Sequence, residues 1–282
     1  MTLGIIGGTG LLEIDGFAVE ERRRVSTPYG KPSAPIVIGS LGNTRIAFLP
    51  RHGVNHEILP TEINFRANIW ALKHVGVREI ISVSATGSLA HELTPGSLAL
   101  VTQYFDWTKG IRKSSFFGKG LVAHISTANV ACPALSAAVA TAATEQAIPI
   151  HRDVTYACVE GPRFGTRAES LFLKSSGASV VGMTNVPEAF LAREANLCYC
   201  TLAVVTDYDC WLEDPSDAVS SEKVAQCFGK ALGNVQRVLK AIVANKRASG
   251  QCKCRGSIVQ SLLTRQSALS NEAQKRLAFL DS

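Results

Sequence analysis

Two carboxylates close an apolar run in this chain. Leu197–Val205 (LCYCTLAVV) reads as a buried strand that passes directly into Thr206-Asp207-Tyr208-Asp209-Cys210-Trp211. Acids at such a place are costly unless something compensates their desolvation. A carboxyl group there can accept a hydrogen from a ligand amino group or, with its pKa raised, donate a proton. Taken alone, an Asp-x-Asp pair is more simply two solvated acids in a turn. Other segments shift that balance. Gly7-Gly8-Thr9-Gly10 follows the first apolar run and brings backbone N–H groups and a hydroxyl toward an anion. Arg51-His52-Gly53 ends another run, where a guanidinium can grip phosphate bidentately beside an imidazole. Ser84-Ala85-Thr86-Gly87 and Met183-Thr184-Asn185 repeat the theme, with small or hydroxyl-bearing residues where a strand stops. Ligands of open α/β sheets sit outside the carboxyl ends of strands, so these segments can share one site.

Other motifs have plainer readings. Glu160-Gly161-Pro162-Arg163-Phe164 follows a Val154–Val159 strand, and Gly-Pro sets a rigid turn. Arg163 is expected in a buried pair with Glu188 or Glu194, and Phe164 offers a ring wall. His56 is expected to be structural. Gly8-Thr9-Gly10 lacks the third glycine and the following helix of a dinucleotide fingerprint, and no Walker loop is present. Arg22-Arg23-Arg24 follows Glu20-Glu21 and reads as a solvated strand end; no basic stripe interleaved with aromatics points to nucleic acid. The net charge of +6 suits a site that holds an anion. No run reaches the ~18 apolar residues of a membrane span. The first residues carry no basic leader pattern, so a cytoplasmic protein is expected.

Eight cysteines are many for that compartment. Cys132, Cys158, Cys198, Cys200, Cys210 and Cys227 read as buried small hydrophobes. Cys252-Lys253-Cys254 sits in a loop-like stretch, where two thiols can bind metal, pair or exchange. No third and fourth ligand stands near them in sequence, so no metal site is expected.

The elements that must position these groups alternate. Strands are expected at Leu3–Ile6, Ala34–Gly39, Arg45–Leu49, Glu79–Val83, Ser97–Val101, Val154–Val159, Ala178–Val181 and Leu197–Val205. Helices are expected at Thr61–Val75, Cys132–Gln146, Thr166–Ser175, Pro187–Ala195 and Ser221–Lys246. Gly42-Asn43 joins two of the strands as a hairpin, giving an α/β protein with a mixed sheet. One domain is expected over residues 1–247. Residues 248–282 read as a C-terminal extension, partly disordered, with a short amphipathic helix at Asn271–Leu280.

Gly4–Gly10, Arg51-His52-Gly53, Asn68–Leu72, Glu160–Phe164, Met183-Thr184-x-Val186-Pro187-Glu188 and Thr206–Trp211 together resemble the methylthioadenosine phosphorylase branch of the purine nucleoside phosphorylase family, over about residues 3–245. The resemblance implies a mixed sheet closed into a distorted barrel, flanked by helices, and a homotrimer. It implies attack of inorganic phosphate on C1′ of a purine nucleoside, with no organic cofactor. Phosphate would be held by Thr9, Arg51, His52, Ser84, the Ala85 amide and Thr184. Met183 would lie under the ribose, Phe164 would line the base pocket, and Asp207, Tyr208 and Asp209 would face the base edge, with Asp207 as the proton donor. Two departures bear on specificity. Ser221 stands where an apolar residue would cover a 5′-methylthio group, and Gly165 replaces the usual serine. The paired acids favour a 6-amino purine. The alternatives are phosphorolysis of inosine, guanosine or methylthioinosine, with Asn185 donating to a 6-oxo group, and a nucleotide-binding oxidoreductase or non-catalytic purine binder.

Overall fold

The computed structural model describes residues 2–212, 219–245, 252 and 254–282. Its centre is a nine-stranded sheet of order β2-β3-β4-β1-β5-β8-β7-β6-β9, in which β5 also pairs with β9. That last pairing closes β5 (Val77–Ser88), β8 (Val180–Gly182), β7 (Ile150–Val159), β6 (Leu98–Trp107) and β9 (Cys198–Asp207) into a five-stranded barrel. The ring is mixed: β5–β9, β6–β7 and β7–β8 are parallel, and β5–β8 and β6–β9 antiparallel. β1 (Thr2–Gly7), β4 (Thr44–Pro50), β3 (Ile36–Leu41) and β2 (Phe17–Arg23) extend the sheet from β5 as an open arm.

The expected hairpin is β3–β4, turned at Gly42 in the left-handed region (φ 57°) that glycine tolerates. β2 has no counterpart in the sequence reading because its residues are mostly polar and half-exposed. It is an edge strand, where charged side chains block further pairing. Arg23 of the basic run lies on it, paired with Glu21.

Helices form where caps and apolar faces coincide. α1 (Phe65–His74) starts four residues later than expected, because the Asn64 side-chain Oδ1 accepts the Ala67 N–H and caps the helix there. α2 (Pro133–Glu145) has proline at its first position. α3 (Arg167–Ser175) begins in a Thr166–Glu169 capping box. α4 (Asn185–Glu194) follows β8, and α5 (Ser221–Ala244) is capped by Ser220 and buries Val235, Val238, Leu239 and Ile242 in one core cluster with α2 and β9. None of the helices among the described residues is long and apolar enough to cross a membrane.

The C-terminal residues are not an appendage. α6 (Ser257–Ser261) and α7 (Asn271–Asp281) follow α5, and Ile258 and Leu280 are fully buried in a core cluster with α1. Phe279 stacks on Trp70 with ring centroids 3.8 Å apart. Lys73 Nζ donates to the carbonyls of Ala195, Leu280 and Ser282. The sequence reading missed this docking because its partners on α1 lie about 200 residues upstream.

Candidate active site

β1, β4, β5 and β9 run parallel, so their carboxyl ends lie together. Gly7 ends β1 and its carbonyl accepts the Arg51 N–H, which pins the loop after β4 to the glycine turn. Thr9 opens a short 3-10 turn (Thr9–Glu13) and is exposed. β5 continues through Ser84-Ala85-Thr86-Gly87 instead of ending before them. Those residues are therefore held in extended backbone, paired along their length with β9 and, at Gly87, with β8.

At one end of the site, hydroxyls converge. Ser84 Oγ lies 3.2 Å from Thr184 Oγ1, although 100 residues separate them. The Thr184 N–H donates to the Tyr156 hydroxyl. His52 is half-buried, and its Nδ1 lies 2.9 Å from the Ile58 carbonyl oxygen. A carbonyl only accepts, so Nδ1 carries the proton and Nε2 of the neutral ring is an acceptor. Burial, and then the neighbouring Arg51 charge, pull the His52 pKa down to about 4. His56 stacks on it at 4.5 Å in a left-handed backbone conformation.

Arg51 is oriented differently from the sequence expectation. Its fork grips Glu188, with Nε 2.8 Å from Oε2 and Nη2 2.9 Å from Oε1. Nη2 also donates to Ser82 Oγ and Nη1 to the Val83 carbonyl. Four of its five N–H donors are thereby engaged, which leaves one for an anion and rules out a bidentate grip. Glu188 is fully buried and accepts from Ser82 and Tyr199 as well. Glu188 therefore pairs with Arg51 and not with Arg163. Arg163 pairs with Glu169 at the surface, and Glu194 accepts from Ser115 and the Phe116 N–H. Burial pushes the Glu194 carboxyl up to about 7.

At the other end lie the acids. Asp207 pairs in register with Gly87, and a methyl group on Gly87 would stand 2.9 Å from Asp207 Oδ1 and 3.1 Å from Asp209 Cβ. The missing side chain is what admits both carboxylates. Asp207 Oδ1 accepts the Asp209 N–H, and Oδ2 accepts the Thr206 hydroxyl. Asp209 holds a left-handed backbone (φ 51°), and its carboxylate accepts from Ser170. Burial first, and the adjacent Asp207 next, raise the Asp209 pKa. Tyr208 points its hydroxyl at the His91 carbonyl and its ring edge at Trp211.

Between the two ends, Met183 is half-buried. Its carbonyl accepts from Arg112, and Gly161 (φ 70°) lies so close that a Cβ there would be 2.5 Å from Met183 Sδ. Arg112 also pairs with Glu160 and donates to the carbonyls of Val159, Glu160 and Val186. It ties the β7 and β8 exits into one unit, a role with no local sequence signal. A cavity of about 130 Å³ opens behind Asp209, lined by Gly161, Gly165, Ser170, Leu173 and Val181 among others; none of the anion-side residues reaches it. Phe164 is 38% exposed, between Arg163 and Gly165, which do line the cavity. Ser221 is exposed in the first turn of α5. Asn185 is fully buried and donates to Ser82 and Tyr199. Its amide is therefore committed to the Glu188 network and not presented to a base.

Glu188, Ser82, Tyr199, Tyr156 and Arg112 were not singled out as site residues in the sequence. Polar letters inside buried elements were the only hint of the first four, and Arg112, in the loop after β6, had none.

Residues 2–244 match the family model described as Phosphorylase superfamily. An S-methyl-5′-thioadenosine phosphorylase of Geobacter sulfurreducens is 43% identical over 278 residues, covering 99% of this chain and 97% of the relative. A methylthioadenosine phosphorylase from an antarctic soil metagenomic library superposes with a TM-score of 0.92 at 43% identity, covering 99% and 98% of the two chains. One from Schistosoma mansoni, in complex with adenine, gives 0.83 at 37% identity, covering 86% and 91%.

Proposed function

The chain belongs to the phosphorylase superfamily, and on that premise we propose that it phosphorolyses 5′-methylthioadenosine to adenine and 5-methylthioribose 1-phosphate. One observation carries the reading. A single strand, β5, presents the Ser84–Thr184 hydroxyl pair at one point and the Gly87 notch that seats Asp207 three residues on, about 10 Å away at ~3.3 Å per residue. A nucleoside with a phosphate at C1′ spans that gap.

In this reading, phosphate rests among Thr9, the one free Arg51 N–H, His52, Ser84, the Ala85 amide and Thr184. Arg51 contributes mainly as the group that, with Glu188, holds β4, β5 and α4 in place. A neutral His52 accepts the P–OH hydrogen of monohydrogen phosphate through Nε2. A phosphate oxygen bonds to C1′ as the C1′–N9 bond breaks, and the bonding pair leaves with the purine. Phosphate offsets the positive charge that grows on the sugar. Asp207 gives a proton to N7 of the departing base. Asp209, kept protonated more readily by its burial, orients Asp207 through its N–H and shares the base edge. Phe164 covers the base and Met183 the ribose. Phosphate is a co-substrate, and no organic cofactor takes part.

The exposed hydroxyl of Ser221 in place of an apolar cover, with Gly165 opening the base pocket, extends the range to adenosine. The 6-oxo alternative loses its donor with Asn185 buried elsewhere. The assembly is a cytoplasmic homotrimer, checked by light scattering. The deciding assay compares phosphate-dependent release of adenine from methylthioadenosine with release of hypoxanthine from inosine. The proposal expects the first to dominate; a preference for inosine, or adenine release without phosphate, overturns it.

A further inference from the structure

Cys252 and Cys254 do have third and fourth partners. Cys132, at the N-cap of α2, and Cys198, at the start of β9, meet them, and all four Sγ atoms lie within 4.8 Å of one another. Cys132, Cys198 and Cys254 are buried, and Cys252 is half-exposed. Cys132 and Cys252 approach to 3.3 Å. Two separate disulfides require only that two pairs be close. Mutual proximity of all six sulfur pairs is what four ligands around a single ion require. Zinc–thiolate bonds of ~2.3 Å place the sulfurs about 3.8 Å apart on the edges of a regular tetrahedron, in keeping with these separations.

The surroundings favour thiolates. Cys132 sits at the positive end of the 13-residue helix α2, which favours a thiolate there. The Cys254 N–H points at Cys252 Sγ, 3.5 Å away. The Cys132 N–H donates to the Tyr199 carbonyl, which fixes the cap against β9.

We propose that Cys132, Cys198, Cys252 and Cys254 form a four-thiolate site for a thiophilic, tetrahedral divalent cation, zinc being the fitting ion, which clamps the C-terminal segment to the barrel. Soft thiolate sets select zinc over the hard cations, and four protein ligands leave no open position for catalysis. Cys198 and Asp207 stand at opposite ends of β9, nine residues or about 30 Å apart. The site is therefore structural, and it does not depend on the reaction proposed above. Its effect is linkage: a free ion at about 100 times its Kd shifts the balance from undocked to docked tail about a hundredfold.

The test uses full-length protein purified anaerobically, without chelator. Elemental analysis is expected to find about one zinc per chain. Cobalt(II) added alone to the reduced, metal-free protein is expected to give the visible bands of a tetrahedral site and the sulfur-to-cobalt charge-transfer band of four thiolates. The C252S/C254S variant should lose both signals, while Cys227→Ser, outside the cluster, keeps them. Removing the ion should speed proteolysis after α5 by at least tenfold. If the double variant does not fold, the wild-type cobalt spectrum still decides. Absence of bound metal with no cobalt spectrum, or mass spectra showing these four cysteines joined as disulfides in the anaerobic protein, overturns the proposal.

Discussion

Replacing Glu188 by glutamine tests whether the Arg51 pair is the strut of the anion end. The carboxylate is fully buried and receives four hydrogen bonds, two of them from the guanidinium. In the variant the amide NH2 must face either Nε or Nη2 of Arg51, donor against donor, and the buried cation loses its counter-charge. Breaking such a pair costs about 3–5 kcal/mol, or roughly two to four decades in the unfolding equilibrium. Urea unfolding should show that loss as a lower midpoint with an unchanged slope. The KM for phosphate should rise, because Ser82, Val83 and the β4 loop lose their common anchor. Removing both charges in R51M/E188L should cost less than E188Q alone, since no orphan ion remains. The reasoning fails if E188Q stays within about 0.5 kcal/mol of the parent, the range of an ordinary surface change, or if the double variant is simply additive.

Asp207→Asn keeps the shape but removes the transferable proton, and kcat should fall about a hundredfold or more; near-parental turnover would take Asp207 out of the mechanism. Gly87→Ala introduces a methyl 2.9 Å from Asp207 Oδ1; kcat is expected to drop well before the melting temperature does, and unchanged kinetics would show that the notch is unimportant. His52 has an ordinary pKa of 6.5 and about 4 when folded. The unfolded chain therefore takes up its proton first as pH falls. Its contribution to stability is complete above pH 6.5 and lost toward pH 4, at most about 3 kcal/mol. His52→Asn should flatten that slope in urea titrations at several pH values, and an identical slope would refute the assignment.

The places where strands stop were legible from one sequence, because an apolar run that ends in glycine, hydroxyl or acid is a local signal. Gly7–Gly10, Arg51, Ser84, Thr184 and Asp207 all came from it. The partners were not. Arg51 and Glu188 stand 137 residues apart, and nothing local says that this arginine, and not Arg163, takes the buried acid. Strand lengths were under-read at β5, β6 and β7, since Ser84–Ser88, Thr102–Trp107 and Ile150–Asp153 mix polar with apolar residues in a barrel with varied surroundings. The four cysteines needed the fold as well. Cys132 and Cys198 are unremarkable apolar positions until β9 passes under α2. The expected end of the last helix at Lys246 lies outside the described residues.

One stretch of β-strand separates the hydroxyl pair from the acidic notch, and it is laced to β9 from Ser84 to Gly87. Extended backbone paired in this way is about as inextensible as a polypeptide can be. It acts as a gauge block for the reaction coordinate: substitutions at either terminus of the cleft can retune which sugar substituent or which base is accepted, while the spacing between attacking oxygen and departing ring is inherited unchanged.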